Sequence, residues 1–279
     1  MTHVPDIALN DGNTIPQIGL GVWQAENGVQ TQEAVEAALK AGYRHIDTAA
    51  VYKNEDSVGA AITASGIPRD ELFITTKLWN SDQGKGNVRP ALEKSLERLG
   101  LSYVDLYLIH WPMPARDLIV ETWKELETLK SEGLIRSIGV SNFRVEDLEK
   151  LASEGLTSPV LNQIELHPGL LQTELREYGK AHDIRIESWS PIGGSRGSVL
   201  DNPVLIELAN KHGKSTAQIA IRWHIQNDLI VIPKSVRAER IQENFDVFDF
   251  ELSTEDITAI NDIGDSNRSG PDPANMNIS

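Results

Sequence analysis

Eight short runs rich in Val, Ile and Leu alternate along the 279-residue chain with longer runs of helical periodicity. That alternation predicts an α/β fold, a parallel (β/α)8 barrel of the TIM type. Two further observations support it. The runs have strand length, four to eight residues, and are rich in Val and Ile, as strands buried on both faces should be. Ionisable residues also stand at the C-terminal ends of successive runs, the rim on which barrels build their sites. An open doubly wound sheet fits the same alternation; against it, no Gly-x-Gly-x-x-Gly follows an early strand.

Taken in order, Asp6–Leu9 and Thr14–Pro16 flank Asp11-Gly12 and read as a β-hairpin capping the barrel bottom. Strands are expected at Gln17–Gly21, Arg44–Asp47, Leu72–Lys77, Val104–His110, Ser137–Val140, Val160–Leu166, Arg185–Ser190 and Leu229–Pro233. Between them, Thr31–Lys40 repeats Ala34, Val35, Ala38 and Leu39 on one helical face and stops at Gly42. Val88–Leu99 repeats Leu92, Leu96 and Leu99 before Gly100, and Glu121–Ser131 ends at Gly133. Ser215–Gln226 and Ser253–Ile263 each open on a Ser N-cap, the second with Glu255 and Asp256 in its first turn. Right-handed crossovers then make the sheet parallel. No linker or composition break divides the chain, so residues 1–279 are read as a single domain.

Composition narrows the function. There are no cysteines, which excludes disulfides, cysteine-ligated zinc and a thiolate nucleophile. The net charge of −15, from 41 acidic and 26 basic residues, would repel nucleic acid and anionic membranes. No apolar stretch is long enough to span a bilayer, and residues 1–10 show no secretory signal. The expectation is a soluble cytoplasmic protein whose partner is a small molecule.

Buried strands should not end on charges without a reason. Asp47 ends the second predicted strand with Tyr52 just beyond, Lys77 ends the third and His110 the fourth. A phenol is a poor proton donor at neutral pH unless a neighbouring ammonium stabilises its phenolate, and a carboxylate can hold that ammonium in place. Tyr52 can then protonate a developing alkoxide, with Lys77 and Asp47 tuning it and His110 aiming the carbonyl. Hydride must come from a cofactor, because no side chain supplies it. Ser141, Asn142 and Gln163 offer hydrogen bonds to a nicotinamide carboxamide, and Trp189 a flat face for stacking. The glycine-rich loop Ser190-Pro191-Ile192-Gly193-Gly194-Ser195-Arg196-Gly197 can approach a pyrophosphate, though a plain surface turn reads the same way. Lys234, Arg237 and Arg240 follow the eighth strand and precede a helix, where barrels hold phosphate. With Ser235 they suit a 2′-phosphate, hence NADPH.

At this point the chain resembles the aldo-keto reductases. Gly42-Tyr43-Arg44-His45-Ile46-Asp47-Thr48-Ala49 with Tyr52 looks like the first signature of that family. Val104-Asp105-Leu106-Tyr107-Leu108-Ile109-His110-Trp111-Pro112, Ile138-Gly139-Val140-Ser141-Asn142-Phe143 and Ile232-Pro233-Lys234-Ser235 through Glu243-Asn244 are similarly close. The resemblance implies Tyr52 as general acid, with Asp47, Lys77 and His110 completing a tetrad. It implies an NADPH/NADP+ site at Gly21, Val22, Asp47, Ser141, Asn142, Gln163, Trp189, Ser190, Pro191, Ile192 and Gly193. Lys234, Ser235, Val236, Arg237 and Arg240 would take the 2′-phosphoadenosine, and Glu243 and Asn244 the adenine. Trp23, Trp79, Trp111 and His110 would line the substrate pocket of a monomeric enzyme with no metal. Trp189 stands where many relatives have tyrosine and is similar to the bacterial 2,5-diketo-D-gluconate reductases. The short tail allows Asn267–Asn277 to form only a modest lid, which suits a small or polar carbonyl.

Other readings use some of the same residues. Lys77 could form a Schiff base with a sugar phosphate, although Asp47 should keep it protonated. His45, Asp47 and His110 could bind a metal, but none of the seven histidines lies within five positions of another. A cofactor-binding sensor without turnover would have the cofactor residues and no need of the tetrad.

Overall fold

The structure, a computed structural model, describes residues 4–194, 199–265 and 268–278. Strands β1 (Asp6–Ala8) and β2 (Thr14–Pro16) pair antiparallel, Ile7 opposite Ile15. Gly12 takes φ 87° in the turn, a conformation open to glycine at no steric cost. Asp11 ties the turn to the barrel, its Oδ2 accepting from Lys130 Nζ at 2.6 Å and Ser137 Oγ at 2.8 Å. Leu9 and Ile15 thereby pack with Phe73, Leu106, Leu161 and Ile230, an apolar plug in the barrel floor. The hairpin is where the sequence placed it.

Eight parallel strands follow: β3 (Gly19–Gly21), β4 (His45–Asp47), β5 (Phe73–Leu78), β6 (Val104–Ile109), β7 (Ile135–Ser141), β8 (Leu161–Glu165), β9 (Arg185–Trp189) and β10 (Ile230–Val231). Each pairs with the next in chain order. The ring closes between its last and first members. Ile18 bridges Val231 and Gly21 bridges Lys234, both parallel. Val231 N–H donates to Gln17 O at 2.9 Å and Gly21 N–H to Pro233 O at 3.2 Å. The strands at this seam are shorter than expected, but the bridges leave no free edge, so the sheet is a barrel and not an open one.

Ten α-helices lie among the described residues: α1 (Val29–Ala41), α2 (Glu55–Ser65), α3 (Val88–Leu99), α4 (Ile119–Ser131), α5 (Val145–Ser153), α6 (Thr173–Ala181), α7 (Pro203–His212), α8 (Thr216–Gln226), α9 (Ala238–Phe245) and α10 (Thr254–Asn261). α1 and α3 end on left-handed Gly42 and Gly100, and α8 and α10 open on Ser215 and Ser253 capping boxes. Outward-facing Ile46, Ile74, Tyr107, Ile109, Ile138 and Val140 pack with Val35, Val58, Leu92 and Trp123 of the helices. This shell carries most of the apolar burial. Gly59 of α2 lies so close to the end of α3 that a Cβ there would sit 2.7 Å from Leu99 C.

Candidate active site

Period two along a strand sends alternate residues to one face. In β4, β5 and β9 that places His45 and Asp47, Thr75 and Lys77, and Glu187 and Trp189 on common faces. Lys77, next to last in β5, is fully buried and donates from Nζ to Asp47 Oδ1 at 2.6 Å and Thr48 O at 2.8 Å. A 3-10 turn, Ala50–Tyr52, returns the phenol over this pair, with Lys77 Nζ 5.1 Å from the Tyr52 ring centroid. His110 follows β6 directly. Its ring stands edge-on to Tyr52 at 5.7 Å and to Trp79 at 5.3 Å between centroids. The four residues singled out from the sequence therefore meet at one mouth.

Their electrostatics follow from burial and the nearest charge. Burial works against the Lys77 ammonium, but the charge and hydrogen bond of Asp47, joined by Tyr52 and Glu187, together outweigh it and hold the amine above its ordinary value. Burial, then Lys77, push His110 well below its ordinary value, so the ring is neutral at pH 7. Its Nδ1 is buried without a hydrogen-bond partner among the described residues. For Tyr52, burial raises the phenol above its ordinary value. Lys77 pulls the other way, as the sequence reasoning required, but is outweighed.

The residues expected at the nicotinamide join the same network. Ser141 Oγ donates to Gln163 O at 2.9 Å. Asn142, at φ 62°, donates from Nδ2 to His110 O at 3.0 Å and accepts from Trp189 Nε1 at 2.9 Å. Gln163 Nε2 donates to Asp47 Oδ2 at 2.8 Å and Glu187 Oε2 at 2.7 Å. Trp189 closes β9, and Ser190, Pro191, Ile192 and Gly193 lead away from it. Ser195, Arg196 and Gly197 of the glycine-rich loop lie outside the described residues.

Across the seam, Gly21 bridges Lys234 and Val22 N–H donates to Asp47 O at 3.1 Å, so both border the strand ends. Ser235 is buried, its Oγ accepting from Arg237 N–H at 3.1 Å just before α9. Arg240, Glu243 and Asn244 lie on α9 itself, and Val236 is half-buried beside it. Lys234, Arg237 and Arg240 are exposed. Among the described residues no carboxylate pairs with Lys234 or Arg240, which leaves two cations beside a helix N-terminus.

Trp111, Met113 and Met276 pack together, with Trp79 and Trp189 against them. Trp23 stands outside that cluster, 51% exposed. The C-terminal segment docks on the mouth from Arg268 onward; Asn267 lies outside the described residues. Its anchor is Glu165, the last residue of β8, whose Oε1 accepts from Ser269 N at 2.7 Å and Ser269 Oγ at 2.6 Å. Its Oε2 accepts from Gly270 N at 3.0 Å. Burial alone would raise this carboxyl, but hydrogen bonds from His167, Ser269 and Gly270 outweigh it and hold it at about 2.

Glu165, Glu187, Met113 and Met276 escape the sequence reasoning. The two glutamates carried a usable signal, an acid inside a buried strand two residues from Gln163 or Trp189. The methionines carried none. Among the described residues no group of three or more His, Asp or Glu side chains is placed to hold a metal ion, and no helix is long and apolar enough to cross a membrane.

The sequence profile of the aldo/keto reductase family matches residues 17–265. A methylglyoxal reductase, DkgA, of Yersinia pestis is 54% identical over 98% of both chains. Among solved structures, an aldo/keto reductase from Brucella melitensis superposes with TM-score 0.90 at 56% identity, covering 94% of this chain and all of that one. A mutant of Gox0644 in complex with NADPH gives TM-score 0.93 at 47% identity over 99% of both chains.

Proposed function

The chain belongs to the aldo/keto reductase family, and on that footing we propose that it is a monomeric, cytoplasmic, NADPH-dependent oxidoreductase. It reduces the aldehyde or ketone of a small soluble substrate to an alcohol. Methylglyoxal, short aldehydes and keto-sugar acids such as 2,5-diketo-D-gluconate are the substrate class. The observation that carries this reading is the sealed Asp47–Lys77 pair under the Tyr52 ring, with a neutral His110 alongside.

The residues present fit a nicotinamide cofactor. Among the described residues no donor reaches the Gln163 amide oxygen, while both hydrogens of its Nε2 are engaged. The free oxygen and the cations Lys234 and Arg240 suit a carboxamide at one end and a 2′-phosphate at the other. Bound NADPH would supply hydride to the carbonyl carbon. Ser141, Asn142 and Gln163 hold the ring end of the cofactor, Trp189 gives it a flat wall, and Ser235, Val236, Arg237 and Arg240 hold the phosphoadenosine. Trp79, Trp111 and Met276 keep water from the carbonyl.

His110 cannot be the acid, because its environment keeps the ring unprotonated at neutral pH. It aims the carbonyl oxygen by donating one N–H. Tyr52 retains its proton at neutral pH and gives it up only to the much stronger alkoxide base forming beside it. Lys77 then balances the phenolate charge without itself losing a proton.

The test is loss of NADPH absorbance with methylglyoxal, glyceraldehyde and keto-gluconates, repeated with Tyr52→Phe. Removing a general acid should lower turnover by about 10²–10⁴-fold and leave cofactor affinity nearly unchanged. Turnover of Tyr52→Phe within a few-fold of the parent would assign the proton to another group.

A further inference from the structure

Glu187 is a carboxyl group at the centre of β9 that the reaction above does not use. It is fully buried. Its Oε2 accepts from Gln163 Nε2 at 2.7 Å. Its Oε1 makes no hydrogen bond among the described residues and lies 3.6 Å from Nε2 of the buried His45. The same Gln163 nitrogen donates to Asp47 Oδ2 at 2.8 Å. A glutamine amide has two nearly isosteric ends, and only its neighbours decide which end points where. Here two acceptors on different strands, β4 and β9, both demand the NH2 end. The oxygen is thereby turned away from both, and it is not among the atoms sealed from solvent without a partner.

We propose that Glu187 is a positioning residue for the cofactor. Together with Asp47 it fixes the end and the plane of the Gln163 amide, so that the amide oxygen is presented ready-made to the nicotinamide carboxamide. This rests on the reading of the site as an NADPH site. A rigid acceptor gains affinity because its ordering is complete before the ligand arrives.

The chemistry of the pocket suits a carboxylic acid better than a carboxylate. Burial first, then the Asp47 charge, push Glu187 up to about 8, against opposing pulls from Gln163 and Lys77. The groups facing it are Asp47 and His45 on β4, Lys77 on β5 and Gln163 on β8. His45 is itself held neutral, burial and Lys77 bringing it to about 3. At neutral pH the core below the mouth therefore contains one ion pair, Asp47–Lys77, and a neutral acid beside it. Glutamine at 187 would reproduce the carbonyl acceptor of that neutral acid. Aspartate would withdraw it by one methylene, and leucine would remove it at similar volume.

Binding, read by quenching of tryptophan fluorescence, separates these roles. The two ligands are NADPH and adenosine 2′,5′-bisphosphate, which lacks the nicotinamide. Losing the orienting bond should weaken NADPH about tenfold in Glu187→Leu and Glu187→Asp, and Glu187→Gln should stay within about twofold of the parent. The bisphosphate should bind all of them alike. NADPH affinity unchanged in the Leu and Asp variants overturns the proposal. So does a Gln variant as weak as Leu, or equal losses for both ligands. If Glu187→Leu does not fold, Glu187→Asp decides. Failure of the parent protein to bind either ligand would be seen before any variant is compared, and it would overturn the NADPH reading itself.

Discussion

Replacing Glu165 by Gln removes one charge and puts an NH2 where an oxygen now accepts from a donor. In the parent, three donors from Ser269 and Gly270 converge on the carboxylate at 2.6–3.0 Å. Arg268 Nη1 stands 3.6 Å from Oε2. The carboxyl is held at about 2, against an ordinary value of 4.5. That difference corresponds to about 3.4 kcal/mol before screening, and about 2 kcal/mol once the solvent that reaches this rim is discounted. The same figure follows from orphaning one N–H donor and weakening two charge-assisted bonds. About 2 kcal/mol is roughly a 30-fold shift toward the undocked segment. The sign with pH is fixed: a depressed carboxyl stabilises the docked state above pH 4.5, and that stabilisation is lost as pH falls toward 2. Hydrogen exchange of the Ser269 and Gly270 amides at pH 7 measures it directly. Protection should drop about 30-fold in Glu165→Gln, with little change in the barrel strands. Equal protection in both proteins would show that the segment is held by something other than Glu165.

Three further outcomes follow from the same structure. Lys77→Met leaves Asp47 as an uncompensated buried charge and should cost about 3–5 kcal/mol in urea unfolding. Adding Asp47→Asn should recover most of that stability, and both variants should be inactive. Gly59→Ala drives a Cβ into the Leu99 backbone and should cost about 2–3 kcal/mol, lowering Tm by about 5 °C, with activity per folded molecule unchanged. Arg240→Ala should raise KM for NADPH about 10–100-fold and leave KM for NADH as it was, read from initial rates with each cofactor.

Strand existence was legible because most of the parallel strands are buried on both faces and sit in short runs rich in Val, Ile and Leu. The helices were legible where a cap or a stop marked them, as at Ser215, Ser253, Gly42 and Gly100. α2, α5, α6 and α7 were not singled out. α6 starts on left-handed Gln172 with no side-chain cap, and α5 on Arg144, neither of which is an ordinary start signal. α7 did carry one, Asn202 before Pro203, with Asn202 accepting from Val204 N–H. Asp47, Lys77 and His110, with Tyr52 beside them, could be singled out because charges at buried strand ends are rare. The same rule would have reached Glu165 at the end of β8 and, two residues deeper in its strand, Glu187. Trp23, Met113 and Met276 depend on how the mouth is covered, which is a tertiary property with no local pattern.

The seam between β3 and β10 joins parts of the chain separated by more than two hundred residues, from Ile18 to Val231. Such a contact is among the most non-local the fold can make, so its loop-closure entropy is large and its formation slow. The basic run that follows, Lys234 to Arg240, is set in place by that same closure, because Lys234 is itself one half of a bridge. A ligand gripping Lys234 and Arg240 would bind only closed barrels and would stabilise them by mass action. The phosphate end of the site would then double as a lock on the last seam of the fold, and a chain stopped before residue 230 would lack both the lock and the ring it closes.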